Sequence, residues 1–395
     1  MSTKDQVVIV GAARTPIGAF LGELAPVAAT QLGARAIEAA VARAKAPGDQ
    51  IDECVMGCVL TAGLGQAPAR QAALGAGLSV ESGCLTVNKM CGSGMQAIMT
   101  AHDQLVAESA DLVVAGGMES MSNAPHLLDR ARSGLPIGDF RARDHMFLDG
   151  LEDAYEKGRL MGSFAEDCAT AYQFTRQMQD EFARASLLRA QKATREGVFD
   201  EEIAPIKLSG KADTTVVHDE LPRRANAETI GRLRPAFRAD GSLTAANSSA
   251  ISDGAAALVL TRMKNAERKG LTPRARILGH VTHAGPPGKF PTAPIPAIRK
   301  LLDKVAWRAD DVDLYEINEA FAVVTMAAMR DLGLSHDKVN IHGGACALGH
   351  PIGASGARIV VTLLSALERY DLRRGVAALC IGGGEATAVA IERGL

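Results

Sequence analysis

The sequence predicts an α/β protein made of two similar halves, with an extra segment inserted into the first half. Three observations support this: an internal repeat at an offset of 261 residues, apolar strand-like runs that alternate with helix-like stripes, and one long interruption of the repeat. At about 150 residues per domain, a chain of this length predicts two to three domains.

The repeat is clearest in a pair of predicted amphipathic helices. Both have apolar residues at i, i+3, i+4 and i+7, the spacing of one helix face. The first stripe consists of Ile37, Ala40, Val41 and Ala44, and the second of Ile298, Leu301, Leu302 and Val305. Acidic segments 49–52 and 310–313 follow at the same offset of 261, each ahead of a short apolar run.

The later parts of the repeat predict where helices begin and strands end. Ser93-Gly94 and Ser355-Gly356 each open an apolar helix after a glycine-rich turn, and segments 112–117 and 376–383 each run from an apolar strand into glycines. Apolar strands that alternate with helices predict mostly parallel sheets covered on both faces. Ligands of such folds gather at the carboxyl ends of the strands.

The interruption of the repeat predicts an inserted domain. The closing strand 386–391 follows its glycines almost at once, whereas its counterpart 255–260 comes more than 130 residues after Gly117. We therefore divide the chain into a first half of residues 1–120 and 249–270, an insertion of 121–248, and a second half of 271–395. The insertion carries a predicted helix at 177–195 and two basic clusters, one at 130–143 and one formed by Arg223, Arg224, Arg232 and Arg234. This content favours a lid that covers a site shared by the two halves.

Composition excludes several classes of protein. Lys and Arg number 43 against 45 Asp and Glu, so no overall positive field attracts nucleic acid or an anionic membrane. We expect no membrane span and no targeting segment, hence a cytoplasmic protein. Seven cysteines, an odd number, favour reduced thiols. Cys54 and Cys58 lack a second pair at ligand spacing, so no metal site is expected.

The first candidate for chemistry is Cys91, on a glycine-rich turn ahead of a predicted helix. The positive end of a helix dipole lowers a thiol pKa, so we expect a reactive thiolate, with a small buried hydrophobic residue as the alternative. Gly92, Gly94 and Ala97 also mimic a dinucleotide fingerprint. That motif comes 90 residues into the chain and its nearest acid, Asp111, precedes the next strand, which argues against a nicotinamide-dependent dehydrogenase.

Two further segments are rich in glycine and chemically active residues. Segment 342–356 contains His342 and His350 among glycines, which predicts a loop that presents imidazole to a ligand; a plain surface loop is the alternative. Cys380 ends a predicted strand ahead of three glycines. Two cysteines and a histidine at equivalent strand ends suit nucleophilic and general-base catalysis.

The chain resembles the thiolase family, most closely its biosynthetic type, from Val8 to Arg393. Five motifs carry the resemblance, at 88–97, 233–237, 316–322, 343–358 and 380–384. The family fold implies layers in the order αβαβα, two similar halves, and a loop domain inserted in the first half. A decarboxylating ketoacyl synthase of the same fold is the enzymatic alternative, and its active site would resemble a Cys-His-His set. Asn318 and Cys380 favour a thiolase instead.

The resemblance implies a reaction and a role for each motif residue. It implies reversible Claisen condensation of two acetyl-CoA molecules to acetoacetyl-CoA and CoA, and thiolysis of short 3-oxoacyl-CoA. Cys91 would carry the acetyl group, His350 would be its base, and Cys380 would move the α-carbon proton. One oxyanion hole would be formed by the N–H groups of Cys91 and Gly382, and the other by His350 with a water held by Asn318. No metal or redox cofactor is implied.

The resemblance also assigns substrate contacts and an assembly. In the loop domain, Ser249 would lie near the pantetheine, Phe237 near the adenine, Arg223 near the phosphates, and Met161 in the substrate pocket. The family implies a homo-oligomer, a dimer of dimers. Leu160 stands where a histidine is usual, Glu385 and Ala386 follow the last glycines, and His342 stands where asparagine is common, with an expected pocket-lining role. A preference for longer 3-oxoacyl-CoA and a non-catalytic scaffold therefore stay as alternatives.

Overall fold

The computed structural model describes residues 5–135, 137–208 and 214–394. The strands are β1 Val7–Arg14, β2 Gly18–Ala19, β3 Glu53–Gly57, β4 Gly83–Val87, β5 Leu112–Ser120, β6 His126–Leu128, β7 Ala142–Asp144, β8 Ile206–Leu208, β9 Thr214–Val216, β10 Ser252–Arg262, β11 Ala275–Ala284, β12 Leu314–Ile317, β13 Arg374–Ile381 and β14 Glu385–Glu392.

The helices cover both faces of the strands. They are α1 Ala29–Ala44, α2 Pro68–Gly75, α3 Ser93–Val106, α4 Met161–Tyr172, α5 Arg176–Arg195, α6 Glu220–Arg224, α7 Met263–Lys269, α8 Pro294–Val305, α9 Ala322–Leu332, α10 Ala345–Leu348 and α11 Ser355–Arg369. Of the helices in the described ranges, none combines the length and the hydropathy that a bilayer span needs.

The strand order confirms the repeat. The central sheet runs β12-β13-β14-β11-β1-β10-β5-β3-β4, with β2 beside β10. From the middle of the sheet outward, the first half contributes β1, β10, β5 and β3. The second half contributes β11, β14, β13 and β12 at the corresponding positions. The two halves join where Val8 and Ile9 pair with Arg276 and Ala275.

The expectation of mostly parallel strands is wrong. Among the described strands of the central sheet, β3–β4, β3–β5 and β12–β13 pair in parallel, and the other pairs are antiparallel. The reason lies in the closing strand of each half. β14 returns from β13 through the short turn Gly382-Gly383-Gly384, and two strands joined by a tight turn must be antiparallel.

Three hydrophobic clusters separate the layers, as the αβαβα arrangement requires. One joins α1 and α2 to the first-half strands, a second surrounds α3 and α11, and a third joins α8 and α9 to the second-half strands. Residues of the predicted stripes, such as Ile37 and Ile298, are fully buried in the outer clusters. The two central helices, one from each half, therefore pack against strands of both halves.

The insertion leaves the sheet after β5 ends at Ser120 and returns where β10 begins at Ser252. Helix α5 confirms the helix predicted at 177–195. Arg14 in β1 fastens the insertion to the first half: its fully buried guanidinium contacts Glu202 at 2.5 Å and Asp219 at 2.7 Å. Two carboxylates around one buried arginine satisfy its donors, so this pairing holds the insertion in a defined place.

The amino-terminal ends of α3 and α11 meet backbone to backbone. As predicted, the helices begin at Ser93 and Ser355. A Cβ atom added to Gly356 would lie 2.4 Å from the backbone nitrogen of Met95, and one added to Gly94 would lie 2.9 Å from that of Ala357. Glycine is therefore required on both sides of the contact.

We predict that Gly356→Ala destabilises the protein by about 2 kcal/mol, the usual cost of overpacking. Alanine favours helix over glycine, but here its methyl group meets a backbone atom that cannot move away cheaply. Urea unfolding measures the change. Gly231→Ala is the matched control, because a Cβ at Gly231 has nothing within 4 Å. Equal midpoints for the two variants would contradict the prediction.

Candidate active site

A cavity of about 350 Å³ opens where the two halves and the insertion meet. Its walls are mostly apolar. They comprise Met90 and Cys91 from the first half; Phe147, Gly150, Leu151, Leu160, Met161, Gly162, Ala236, Phe237, Thr244, Ala245, Ser248, Ser249, Ala250 and Ile251 from the segment between β5 and β10; and Phe290, Ala320, Phe321, His350, Ile352, Cys380 and Gly382 from the second half. The cavity therefore brings together residues from all three parts of the chain.

Cys91 lies on a tight turn between β4 and α3. The turn is held by polar side chains of its own motif: Asn88 Oδ1 accepts the N–H of Met90, and Ser93 Oγ accepts the N–H of Lys89. Met90 has a positive φ of 48°, a backbone conformation that non-glycine residues rarely adopt. The surrounding hydrogen bonds thus fix a strained turn that presents the thiol to the cavity.

The pKa of Cys91 is raised to about 11, mainly because protein surrounds the sulfur. The N–H groups of Gly382 and of Cys91 itself point at the sulfur and lower the pKa, but by less. The expected lowering by the helix is therefore wrong for the substrate-free protein, because burial outweighs those dipoles. Cys91 is a neutral thiol at rest, and its nucleophilic form requires proton transfer.

His350 lies in the turn ahead of α11 and has one ring nitrogen available. Its Nδ1 lies 2.6 Å from Ser355 Oγ, and that hydroxyl donates to the carbonyl of Pro351 at 3.0 Å. Nδ1 therefore carries the proton that Ser355 accepts, and Nε2 keeps its lone pair. Nε2 is buried and has no hydrogen-bond partner. Burial and the charge of Arg358 lower the pKa of His350 to about 3, so the ring is neutral before substrate binds.

Cys380 ends β13 on the opposite wall, 1% exposed. Burial raises its pKa well above the ordinary value, and a thiolate on Cys91 raises it further. An acyl group on Cys91 rules out that thiolate, so the Cys380 thiol is then deprotonated without a negative sulfur beside it. Gly382, two residues on, contributes the N–H that faces the Cys91 sulfur.

Asn318 follows β12 and lies behind the cavity wall rather than in it. It is 1% exposed, and its N–H donates to the carbonyl of Ala378, close to the end of β13. Both polar atoms of its side-chain amide are buried without a partner. A buried amide with free donor and acceptor atoms is suited to hold a water molecule, and its oxyanion role stays a prediction.

The substrate-contact residues divide into two groups. Ser249, Phe237 and Met161 line the cavity, as does Leu160. Arg223 is not in the lining; its guanidinium pairs with Glu23 at 2.6 Å, so its phosphate role stays a prediction. The lining role expected for His342 is wrong. Its ring is buried between Phe199 and Tyr370, and its Nε2 lies 3.1 Å from the Tyr370 hydroxyl.

Comparison with known proteins identifies the family of this chain. Residues 7–264 match the family model "Thiolase, N-terminal domain" and residues 271–393 match "Thiolase, C-terminal domain". The chain belongs to the thiolase family. Its relatives include the "Acetyl-CoA acetyltransferase" of Escherichia coli, 48% identical over 98% of both chains. That of Allochromatium vinosum is 46% identical over 98% of this chain and 99% of its own, and the mouse "Acetyl-CoA acetyltransferase, cytosolic" is 46% identical over 99% of both.

Sequence reasoning missed one structural carboxylate of this thiolase. Glu119 is fully buried at the end of β5 and accepts the N–H groups of Val59, Leu60 and Gly353 at 2.9–3.1 Å. It ties the loop of His350 to the first half. Burial raises its pKa to about 7. A single acid at the end of an apolar strand was the available signal.

An ion pair between two loops beside the cavity was also missed. Lys89, in the turn of Cys91, pairs with Glu385, which follows the three glycines of the second half. Glu385 was noted as a departure from the family pattern, but its partner lies 296 positions away in the sequence. In this thiolase the pair connects the turn of Cys91 to the loop of Gly382.

We predict that alkylation of Cys91 by iodoacetamide speeds up about tenfold per pH unit from pH 7 to pH 9, because the thiolate fraction of a group with a pKa near 11 rises by that factor. Peptide mass spectrometry at fixed times measures the rate. Cys84 is an internal control: contacts with Cys54 and Arg70 lower its pKa to about 6, so its rate should level off. A plateau for Cys91 near pH 7 would contradict the neutral resting thiol.

Proposed function

We propose that this thiolase is an acetyl-CoA C-acetyltransferase that makes acetoacetyl-CoA and CoA from two acetyl-CoA molecules and also thiolyses short 3-oxoacyl-CoA. One observation carries the proposal: two thiols and a neutral imidazole with a free Nε2 adjoin one apolar cavity. The names of the relatives support the same substrate. A thioester substrate suits a cysteine nucleophile, which forms a thioester in turn.

The first half-reaction transfers an acetyl group to Cys91. Nε2 of His350 takes the thiol proton as the sulfur attacks the thioester carbonyl. The oxyanion accepts hydrogen bonds from the N–H groups of Cys91 and Gly382, which already point at this place. When the tetrahedral intermediate collapses, the carbon–sulfur bond to CoA breaks and CoA leaves with the proton from His350.

The second half-reaction forms the carbon–carbon bond. Cys380 first passes its thiol proton to Nε2 of His350, and its thiolate then removes a proton from the α-carbon of a second acetyl-CoA. The enolate oxygen is held by the protonated His350 and a water on Asn318. The carbanion attacks acetyl-Cys91, and Cys91 leaves as a thiolate that takes the proton back from His350. Acetylation supports this order, because acetyl-Cys91 cannot form the thiolate whose charge raises the pKa of Cys380. No metal or redox cofactor takes part, and the CoA thioesters are substrates.

The decisive experiment is mass spectrometry of the protein mixed with acetoacetyl-CoA in the absence of free CoA. We expect one acetyl group, confined to the peptide that contains Cys91 and released when CoA is added. Cys91→Ala should take no label and keep its fold by circular dichroism, whereas Cys346→Ala, in a cysteine outside the cavity lining, should label normally. An unlabelled native protein would favour the scaffold alternative.

A second candidate, a thiolase for longer 3-oxoacyl-CoA, rests on Leu160. An apolar side chain stands in the cavity wall where an imidazole is usual. We predict that Leu160→Ala raises kcat/KM for 3-oxohexanoyl-CoA relative to acetoacetyl-CoA about tenfold, since each methylene that an apolar pocket accepts changes discrimination by roughly this factor. Leu64→Ala, away from the cavity lining, should leave the ratio unchanged. An unaltered ratio in Leu160→Ala would mean that Leu160 does not limit acyl length.

We further propose that the protein is cytoplasmic and forms a homo-oligomer, a dimer of dimers. Some of the relatives are named cytosolic. The basic segment 130–143 supports assembly, because Ile137 and Phe140 are 107% and 53% exposed there and large apolar side chains on a surface favour a partner. Sedimentation equilibrium gives the mass in solution.

A further inference from the structure

A cluster of metal-ligating side chains lies outside the active site, between the two halves. His102 and Asp103 belong to α3, and His280 belongs to β11. His102 Nδ1 lies 3.1 Å from Asp103 Oδ1, His280 Nε2 lies 2.9 Å from the same oxygen, and the two nitrogens are 3.2 Å apart. Three ligand atoms from three residues therefore form a nearly equilateral triangle.

Hydrogen bonds alone do not satisfy this triangle. A neutral imidazole nitrogen carries either a proton or a lone pair. Suppose that the nitrogen of one histidine donates its proton to the Asp103 oxygen. The nitrogen of the other histidine then either turns its lone pair towards that oxygen, or carries a proton of its own that faces the proton of the first histidine. No arrangement of neutral rings makes all three contacts favourable. Three lone pairs that point at one common centre are instead the usual pattern around a cation.

The separations match a metal coordination shell. Zinc binds imidazole nitrogen and carboxylate oxygen at about 2.0–2.2 Å. Two ligands at that distance, about 90° to 110° apart around the metal, are about 2.9–3.4 Å from one another. The three observed separations, 2.9, 3.1 and 3.2 Å, lie within this range. We propose that His102, Asp103 and His280 form a binding site for a divalent transition-metal ion, with Zn²⁺ as its natural occupant.

The donor set and its surroundings define the chemistry of the site. Two imidazoles and one carboxylate suit Zn²⁺, whereas Mg²⁺ and Ca²⁺ prefer oxygen ligands. The side chain of Asp103 is 66% exposed, which leaves room for water at the remaining position, and those of His102 and His280 are only 16% and 12% exposed. The expectation of no metal considered cysteine spacing alone, and this site contains no cysteine.

The position of the site points to a structural role. His102 lies nine residues after the first residue of α3, which is about 14 Å along a helix. The ion is therefore remote from Cys91. It would link α3, the helix that follows the Cys91 turn, to a strand of the second half, and so stabilise the packing of the halves.

One charge opposes the ion. Lys304 Nζ donates to the carbonyl of His280 at 2.9 Å, so a positive charge lies beside the cluster. Asp103 supplies the compensating negative charge. Lys304→Gln should therefore bind the metal several-fold more tightly, an effect of repulsion that a purely hydrogen-bonded cluster would not produce.

The test uses chelator-treated full-length protein titrated with Zn²⁺ by calorimetry and with Co²⁺ by visible absorption. We expect one ion per chain, and at least about tenfold weaker binding in His280→Gln and in Asp103→Asn. Asp103 is exposed, so its variant tests the site even if His280→Gln folds poorly. His283→Gln, which changes a half-buried histidine on the same strand, is the matched control and should bind as the native protein does.

The readout must separate this site from the cysteines, which also bind these ions. Co²⁺ at the proposed site gives ligand-field bands without thiolate charge-transfer absorption, and Zn²⁺ raises Tm in the native protein but not in Asp103→Asn. The proposal is overturned if the native protein binds neither ion, if thiolate absorption accompanies the binding, or if His280→Gln and Asp103→Asn both bind unchanged. None of these results depends on the acyltransferase activity.

Discussion

The active site depends on the contact between the amino-terminal ends of α3 and α11. Gly94 and Gly356 let the two helices meet through their backbones, and the turns that precede them carry Cys91 and His350. A side chain at either glycine would push the halves apart and separate Cys91, the proposed nucleophile, from His350, its proposed base. Catalytic geometry in this fold is thus set by the absence of two side chains rather than by a contact that the catalytic residues make themselves.

Burial then determines where protons reside. Surrounding protein raises the pKa of both Cys91 and Cys380 and lowers that of His350, so the three groups are neutral before substrate arrives. In the proposed reaction, the backbone N–H groups of Cys91 and Gly382 stabilise the oxyanion of the first half-reaction, and His350 with a water on Asn318 stabilises the enolate of the second. The apolar walls of the cavity penalise charge at other places.

Local patterns predicted much of this architecture. Turn chemistry predicted the helix starts at Ser93 and Ser355, and periodicity predicted the repeat. Together they also singled out Cys91, His350 and Cys380, three of the four proposed catalytic residues, which line one cavity. They did not predict the direction of the closing strands or the resting charge of Cys91, because both depend on which segments surround them after folding. Long-range partners were equally hidden: Lys89 with Glu385, and His102 with His280, 178 positions apart. No spacing rule joins residues that only the fold brings together.

The two ends of the central sheet are not alike. Beyond β3, the first half adds β4, which has no further strand beside it within the described residues. At the corresponding place in the second half, a single bridge joins Tyr315 to Val339, and the chain then turns into the loop of His350. The counterpart of β4 in the second half is thus a loop with one bridge rather than a full strand. An edge strand offers unpaired N–H and C=O groups to another chain, and a sheet with a single such edge can pair with one neighbour only. The loop ahead of His350 therefore makes the two ends of the sheet unequal as places where a further strand could add.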